Sequence, residues 1–280
     1  MATILVTGYT GNVGREVLNS LRERSDDQSI LVAGHHHKPD ESDHRFLDFE
    51  DRSTFADAVA DVDYVFLIRP PKLASVDEVF APFLDAMVEA KVKGVVFLSV
   101  YGADTNRMVP HHKIEQAIIE RDLPYYFLRP TYFMQNLTTT LYDQVKTGEV
   151  ELPAGDAVFN WLDTKDIGAA AASLLLDFPN HPDDRLGITL ASYQNLNFHR
   201  VAELSRDSVI AFDYRPVSLP RFFINRLRAG DSAAYAATVA GIHIIQRFQK
   251  TVMARTDWRK LIGRDPHTLE AFFARQQPED

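Results

Sequence analysis

Three glycines spaced three apart, Gly8, Gly11 and Gly14, close the stretch Thr3-Ile-Leu-Val-Thr-Gly-Tyr-Thr-Gly-Asn-Val-Gly14. A glycine loop between a strand and a helix exposes backbone N–H groups at the helix N-terminus, where the helix dipole favours an anion. A Cβ in such a loop would obstruct the tight turn or the approach of a pyrophosphate. Here the loop follows the apolar run Ile4–Val6 and opens an amphipathic series, Val13, Val17, Leu18 and Leu21. That context points to a dinucleotide site formed by Gly8, Thr10, Gly11, Asn12, Val13 and Gly14. No Gly-Lys-Ser/Thr follows, which excludes an ATP-type phosphate loop.

A second landmark falls about 20 residues later, where an acid typically holds the ribose hydroxyls of NAD. The chain reads Val32-Ala-Gly-His-His-His-Lys-Pro-Asp40, with no acid before Asp40. His36 and Lys38 suit a 2′-phosphate, so NADP(H) is favoured over NAD(H). The histidine triplet points to alternating faces of an extended chain and converges poorly on one ion, so no metal site is expected. Asp48 can approach an adenine amino group or cap the segment Asp51–Ala60. Ile68 and Arg69 end an apolar run where the chain passes a cofactor ribose, and Pro70 and Pro71 stop the strand. Ser99 and Tyr101 follow another such run. Ser99 can touch the cofactor or cap a turn. Tyr101 can pack, or stand as a phenolic proton donor beside a substrate.

These residues need a scaffold. Short apolar segments at Thr3–Thr7, Ser29–Gly34, Arg45–Asp48, Tyr64–Ile68, Gly94–Ser99 and Tyr125–Leu128 read as strands. Their near-continuous hydrophobicity suits strands buried on both faces of a parallel sheet. Helical patterns at Asn12–Arg24, Ser53–Ala60, Val76–Ala90 and His111–Arg121 alternate with them, which predicts a doubly wound α/β fold. Beyond Phe133 the alternation breaks. Helices are expected at Phe133–Lys146, Asp166–Leu176, Phe198–Arg206, Leu219–Arg228, Ala233–Val252 and Thr268–Arg275. Short strands are expected at Glu149–Leu152, Asn160–Leu162, Gly187–Leu190 and Ser208–Tyr214. Asp163 and Asp166 read as helix caps, and the run Ala169–Ala172 suits a closely packed helix. The division expected is a dinucleotide domain over residues 1–132, with core elements added from about 133–190, and a small α+β lobe over 133–280.

The chain has 280 residues, 45% hydrophobic and 25% charged, and no cysteine, which excludes disulfides, thiolate zinc sites and thiol nucleophiles. No apolar run reaches the length of a membrane span and no secretory signal is visible, so the expected location is cytoplasmic. The formal charge is −9, yet Arg215–Arg264 carries ten Lys/Arg against two acids, a net of +8 that leaves −17 elsewhere. An acidic body argues against direct nucleic-acid binding. The basic stretch reads as a solvated helical face near the protein's own acids.

Taken together, Gly8–Gly14, Ser99-Val-Tyr-Gly102, His111-His-Lys-Ile-Glu115, Leu128-Arg-Pro-Thr-Tyr-Phe-Met-Gln-Asn136 and Leu261–Phe272 resemble the atypical short-chain dehydrogenase/reductases. More narrowly, they are similar to the NmrA-like group, which includes NAD(P)H:quinone, triphenylmethane-dye and azo reductases and also non-catalytic redox regulators. The resemblance implies a Rossmann-type domain with a substrate lobe. It implies a flat aromatic or quinoid acceptor reduced directly by NAD(P)H without flavin or metal, by a monomer or homodimer. Lys113 would then reach the nicotinamide ribose, with His111 or His112 lining the cleft. Pro130 and Thr131 would touch the carboxamide, and Phe133, Asn136 and Trp161 would face the substrate. Phe222, Phe223 and Tyr235 are further aromatic candidates. The typical reductase signature Tyr-x-x-x-Lys is broken: Val109 stands four before Lys113. The catalytic candidates are therefore Lys113, His112 and Tyr101. The alternative is a cofactor-binding sensor that acts through a protein partner.

Overall fold

The computed structural model describes residues 2–24, 28–35, 42–70, 76–248 and 256–276. The expectations for His36 and Lys38 lie outside these residues. In chain order the strands begin with β1 (Thr3–Thr7), β2 (Ser29–Gly34), β3 (His44–Phe46), β4 (Tyr64–Ile68), β5 (Gly94–Leu98) and β6 (Tyr125–Pro130). They continue with β7 (Tyr132–Phe133), β8 (Glu149–Leu152), β9 (Val158–Leu162), β10 (Arg185–Leu190), β11 (Asn195–Asn197) and β12 (Asp213–Pro216). The α-helices are α1 (Asn12–Arg24), α2 (Phe55–Ala58), α3 (Ala81–Glu89), α4 (Pro110–Glu120), α5 (Tyr142–Thr147) and α6 (Thr164–Asp177). After them come α7 (Phe198–Ser205), α8 (Leu219–Arg228), α9 (Ala233–Phe248), α10 (Trp258–Ile262) and α11 (Leu269–Ala274).

The chain divides into two compact units. The first comprises Met1–Pro130, Thr164–Leu190 and Thr256–Asp265. It holds a seven-stranded sheet in the order β10-β6-β5-β4-β1-β2-β3, parallel throughout. Leu5, Val65, Phe66, Val95, Val96 and Phe97 are all fully buried, so successive side chains are covered on both faces, as continuous apolar runs require. Strand order reverses between β1 and β4, where a doubly wound sheet opens a crevice beyond its carboxyl ends. On one flank α1 packs against α6. The approach is close because position 168 is glycine: a Cβ there would lie 2.5 Å from the Glu16 backbone.

The second unit comprises Thr131–Asp163, Ala191–Arg255 and Pro266–Asp280. A small sheet runs β11-β9-β7, and β8 pairs with β12. Helices α5, α7, α8, α9 and α11 belong to this unit, whose core includes Phe159, Trp161, Phe198, Phe222 and Phe272.

The elements from about 133–190 that join the first unit are the helix at 164–177 and the strand at 185–190: β10 pairs in parallel with β6, and a parallel pair needs a long crossover such as α6. Several expectations need correction. The helix expected over Phe133–Lys146 is instead β7, a 3-10 turn at Met134–Thr138 and α5. Thr138 and Thr139 donate to the Gln135 carbonyl at 3.2 and 2.8 Å, which diverts it from a continuous ladder. The helix over Val76–Ala90 starts as a π turn at Val76–Phe80, since Pro82 has no N–H to extend an α ladder backwards. In place of a strand over Ser208–Tyr214 only Asp213–Pro216 pairs, because the Ser205 hydroxyl accepts the Phe212 N–H and Ser208 donates to the Ser205 carbonyl. Among the described residues no helix is long and apolar enough to cross a membrane.

Candidate functional site

The glycine loop lies at the point where strand order reverses. Thr7, buried at the end of β1, donates its hydroxyl to the Phe66 carbonyl at 3.0 Å and accepts the Ile68 N–H at 2.9 Å. This side chain ties β4 to β1 where the crevice begins, a role the glycine pattern does not reveal. Gly8 adopts φ +62°, a left-handed conformation natural to glycine, and its open side faces the Ile68 side chain at 3.4 Å from an added Cβ. Gly14 permits the return of α1 onto the loop, since a Cβ there would stand 2.2 Å from the Gly8 carbonyl oxygen. Gly11 differs: a Cβ would meet only that oxygen, at 3.3 Å. Gly8, Thr10, Gly11 and Asn12 are exposed, Val13 is buried, and no acid occupies the first turn of α1. The cradle therefore fits a pyrophosphate: its open face is backbone, its dipole is positive and no carboxylate opposes an anion.

At the next crest, Tyr9 lies over Gly34 and its ring meets His44 edge-on at 6.1 Å. Arg45 follows on β3, with a buried Nε that has no hydrogen-bond partner among the described residues. Asp48 turns its carboxylate to the Glu50 N–H at 2.9 Å, and Asp51 caps the following 3-10 turn. The capping role expected for Asp48 thus falls to Asp51.

The carboxyl edge of β4 and β5 brings together Ile68, Arg69, Ser99 and the first turn of α4. Ser99 is buried and donates its hydroxyl to Glu115 at 2.5 Å. Glu115 is 1% exposed and also receives Arg129 in a two-pronged contact, Nε at 2.9 Å and Nη2 at 2.7 Å. In the sequence Glu115 appears only as part of the motif His111–Glu115. Its burial follows from the helix: Ile114, Ala117 and Ile118 face the core and carry Glu115 inward with them. Room for Arg129 comes from Gly187, where a Cβ would lie 2.5 Å from its guanidinium. Ser99 is thus a clamp on α4, and its hydroxyl is already engaged.

Lys113 is exposed and has no ion-pair partner among the described residues. His112 binds the Ala103 carbonyl through Nδ1 at 2.7 Å, so Nδ1 carries the proton and Nε2 of the neutral ring is left as an acceptor. His111 stacks on Phe97 with ring centres 6.0 Å apart, and burial, reinforced by the Arg69 charge, lowers its pKa to about 4. Tyr101 is 40% exposed, and its N–H donates to the Pro130 carbonyl at 3.1 Å. Pro130, the last residue of β6, is buried.

The remaining candidates belong to the second unit. Thr131 donates its hydroxyl to Asn160 at 2.7 Å, and Phe133 and Asn136 are half-buried. Trp161 is fully buried and its indole N–H donates to the Leu196 carbonyl at 2.9 Å, which corrects its expected place on a substrate wall to a place in the core. Phe222 is likewise in the core, while Tyr235 is exposed and lies under the Arg226 guanidinium. A buried pair not seen in the sequence lies nearby. His243 binds the Val239 carbonyl through Nδ1 at 2.7 Å, and Tyr132 donates its hydroxyl to His243 Nε2 at 3.0 Å. Burial raises the Tyr132 pKa and lowers that of His243 to about 4, so both stay neutral. Asp163 accepts from Gln135 at 2.7 Å and pairs with Arg275, while Asp166 of the first unit pairs with Arg264 at 2.7 Å. Both carboxylates are fully buried and hold distant segments, beyond any role at the start of α6. Among the described residues no group of three or more His, Asp or Glu could hold a metal ion.

A parallel sheet with a glycine cradle at its switch point defines a dinucleotide-binding α/β protein of the Rossmann type. The chain belongs to the NmrA-like family, whose model matches residues 1–209. It is 30% identical over 282 residues to the Prestalk A differentiation protein A of Dictyostelium discoideum, covering 96% of this chain and 91% of that protein. It is 29% identical over 195 residues to the NAD(P)H azoreductase of Xenophilus azovorans, covering 66% and 67%. The crystal structure of the Citrobacter sp. triphenylmethane reductase complexed with NADP(H) shares the fold with a TM-score of 0.79 at 21% identity, over 97% of this chain and 98% of that one.

Proposed function

We propose that this protein is an NAD(P)H-dependent reductase acting directly on a flat conjugated acceptor such as a quinone or a dye. The observation that carries the reading is the open glycine cradle at the β1–β4 switch point, exposed at Gly8 and Gly11 and free of acids. The sequence similarity to an NAD(P)H azoreductase supports it. When bound, a reduced nicotinamide supplies a hydride. The acceptor takes up its two electrons and hydrogen, and a proton from water completes the reduced product.

The chain's own residues bind and orient. The loop Gly8–Gly14 holds the pyrophosphate, and Lys113, exposed on the first turn of α4, reaches the ribose hydroxyls in this reading. The Ser99–Glu115–Arg129 clamp fixes that turn against the sheet. His112, whose Nδ1 proton is engaged by the Ala103 carbonyl, orients a water or a hydroxyl through Nε2 as an acceptor. His35 follows β2, and His44 and Arg45 lie on β3, basic residue types on the strands next to the cradle that suit NADP(H).

Purified protein mixed with NADPH and a panel of quinones and azo dyes tests the reading through loss of reduced-nicotinamide absorbance. Turnover of at least one acceptor is expected. Tight NADPH binding without turnover of any would replace the reductase with a cofactor sensor acting through a protein partner. One observation favours that second reading: Val109 replaces the usual tyrosine and the Ser99 hydroxyl is committed to Glu115, so no Ser-Tyr-Lys set is assembled.

A further inference from the structure

Arg69 shares with Arg45 a buried Nε without a hydrogen-bond partner among the described residues, and of the two it is Arg69 that stands at the carboxyl end of β4. It follows β4 directly, level with Ser99 because Ile68 pairs with Leu98. Its Nε is buried and has no hydrogen-bond partner, and no carboxylate lies within ion-pair distance among the described residues. Elsewhere in the same unit Arg121 has Asp85, Arg129 has Glu115 and Arg264 has Asp166. Burial depresses the Arg69 pKa, which is the mark of a charge held without compensation. The adjacent His111 supplies no anion and, being neutral, no second cation. Stacked on Phe97, it instead adds a flat aromatic surface.

We propose that Arg69, beside the His111–Phe97 stack, reads the charge of the acceptor, so that the site takes neutral or anionic quinones and conjugated carbonyl compounds and turns away cationic dyes. The inference rests on the reductase reading above and narrows its substrate class. A guanidinium is planar, stays charged and presents several donors in a fork, which suits an oxygen gaining negative charge. The pyrophosphate cradle has its own donors at α1, so Arg69 remains available to the acceptor. As an acceptor carbonyl receives two electrons and a hydrogen, its oxygen becomes an anion until water protonates it, and a preset cation stabilises that charge without rearrangement. A cationic triarylmethane dye meets like charge in a half-buried place where screening is weak.

The test uses a nitrophenol as a non-reacting stand-in for the reduced acceptor, bound to the protein with NADP+. Its phenolate absorbance reports its pKa in the site. The parent is expected to lower that pKa and to bind phenolate about tenfold to a hundredfold more tightly than Arg69→Gln does, the range of one hydrogen bond to a charged group. Binding of uncharged nitrobenzene should be equal in both. Arg69→Lys should keep the preference for phenolate and serves as the second variant if Arg69→Gln does not fold. In turnover, Arg69→Gln should lose kcat/KM for a naphthoquinone sulfonate and gain it for a cationic triarylmethane dye. Equal binding of phenolate by parent and Arg69→Gln would overturn the inference. So would a matching loss of NADPH affinity with all acceptors affected alike, which would assign Arg69 to the cofactor. If the parent turns over nothing yet still prefers phenolate, the reductase reading fails and charge recognition stands.

Discussion

Gly11 and Gly14 are indistinguishable in the sequence but differ in what a side chain would meet. At Gly14 a methyl group would collide with the Gly8 carbonyl, whereas at Gly11 the neighbour is 3.3 Å away and the rest is open. Gly14→Ala should therefore cost at least ~1–3 kcal/mol of stability, read from the denaturation midpoint. Gly11→Val should keep that midpoint within about 1 kcal/mol and abolish NADPH binding, read by quenching of protein fluorescence. A Gly11→Val variant that binds NADPH as well as the parent would show that the pyrophosphate lies elsewhere. Glu115 offers a second contrast. With Glu115→Ala the Arg129 guanidinium, only 14% exposed at its side chain, keeps its charge and loses its two-pronged carboxylate, with only the half-exposed Asp104 left at 3.6 Å. Breaking a buried pair costs about 3–5 kcal/mol, and with Asp104 still near the loss should fall at or below the lower end, so urea unfolding should begin earlier. The glycine spacing was legible because it follows from backbone sterics within seven residues. The Glu115 ion pair was not, because its partner lies on β6 and the space for that partner is made by Gly187 on β10.

Helix α6 shows how an element acquires its place. The run Ala169–Ala172 announces close packing, and α6 does lie against α1. The sequence does not say that Gly168 makes the contact, with its Cα side pressed on the Glu16 backbone. Gly168→Leu should force α1 and α6 apart and lower the unfolding midpoint by several degrees, while Ala169→Leu, at a half-buried position, should cost less. The alternation of strand and helix over residues 3–130 gave the sheet away, since each strand is a short apolar run with its own boundary. A strand at Gly187–Leu190 was legible, but its place at the sheet edge beside β6 was not. Residues 185–190 are mostly exposed or half-buried at the sheet edge and carry little apolar signal. The break between Met134 and Tyr142 depended on threonine hydroxyls competing for one carbonyl, which a helical period does not register.

Two buried histidines give the whole molecule a pH response. His111 and His243 have pKa values near 4 in the folded chain, against 6.5 for the ordinary side chain. Between those values the unfolded chain binds protons that the folded chain refuses, so the folded state loses ground as pH falls. Stability should be full above about pH 6.5 and decline towards pH 4, by as much as ~3 kcal/mol for each histidine. Urea midpoints measured at steps across that range should fall with pH, and His243→Gln should flatten the slope. An unchanged slope would mean that His243 is not held neutral. The charge asymmetry noticed in Arg215–Arg264 is also settled at this level. Arg215 meets Glu149, Arg221 meets Glu151, Arg226 meets Asp231 and Arg259 meets Asp265, so much of the basic stretch is answered by the chain's own acids.

The sequence alone determined the parallel sheet, the glycine cradle and the family, because these depend on local patterns: runs of apolar residues, backbone freedom at glycine and motifs in a fixed order. Tertiary structure decided which polar groups are free to act. Ser99, Trp161 and Thr131 each spend a donor inside the fold, while Arg69 is left with a buried nitrogen and no acid beside it. The physical reason is that a hydrogen bond or an ion pair belongs to two residues, and their separation in the chain, 16 positions for Ser99 and Glu115, says nothing of their distance in space.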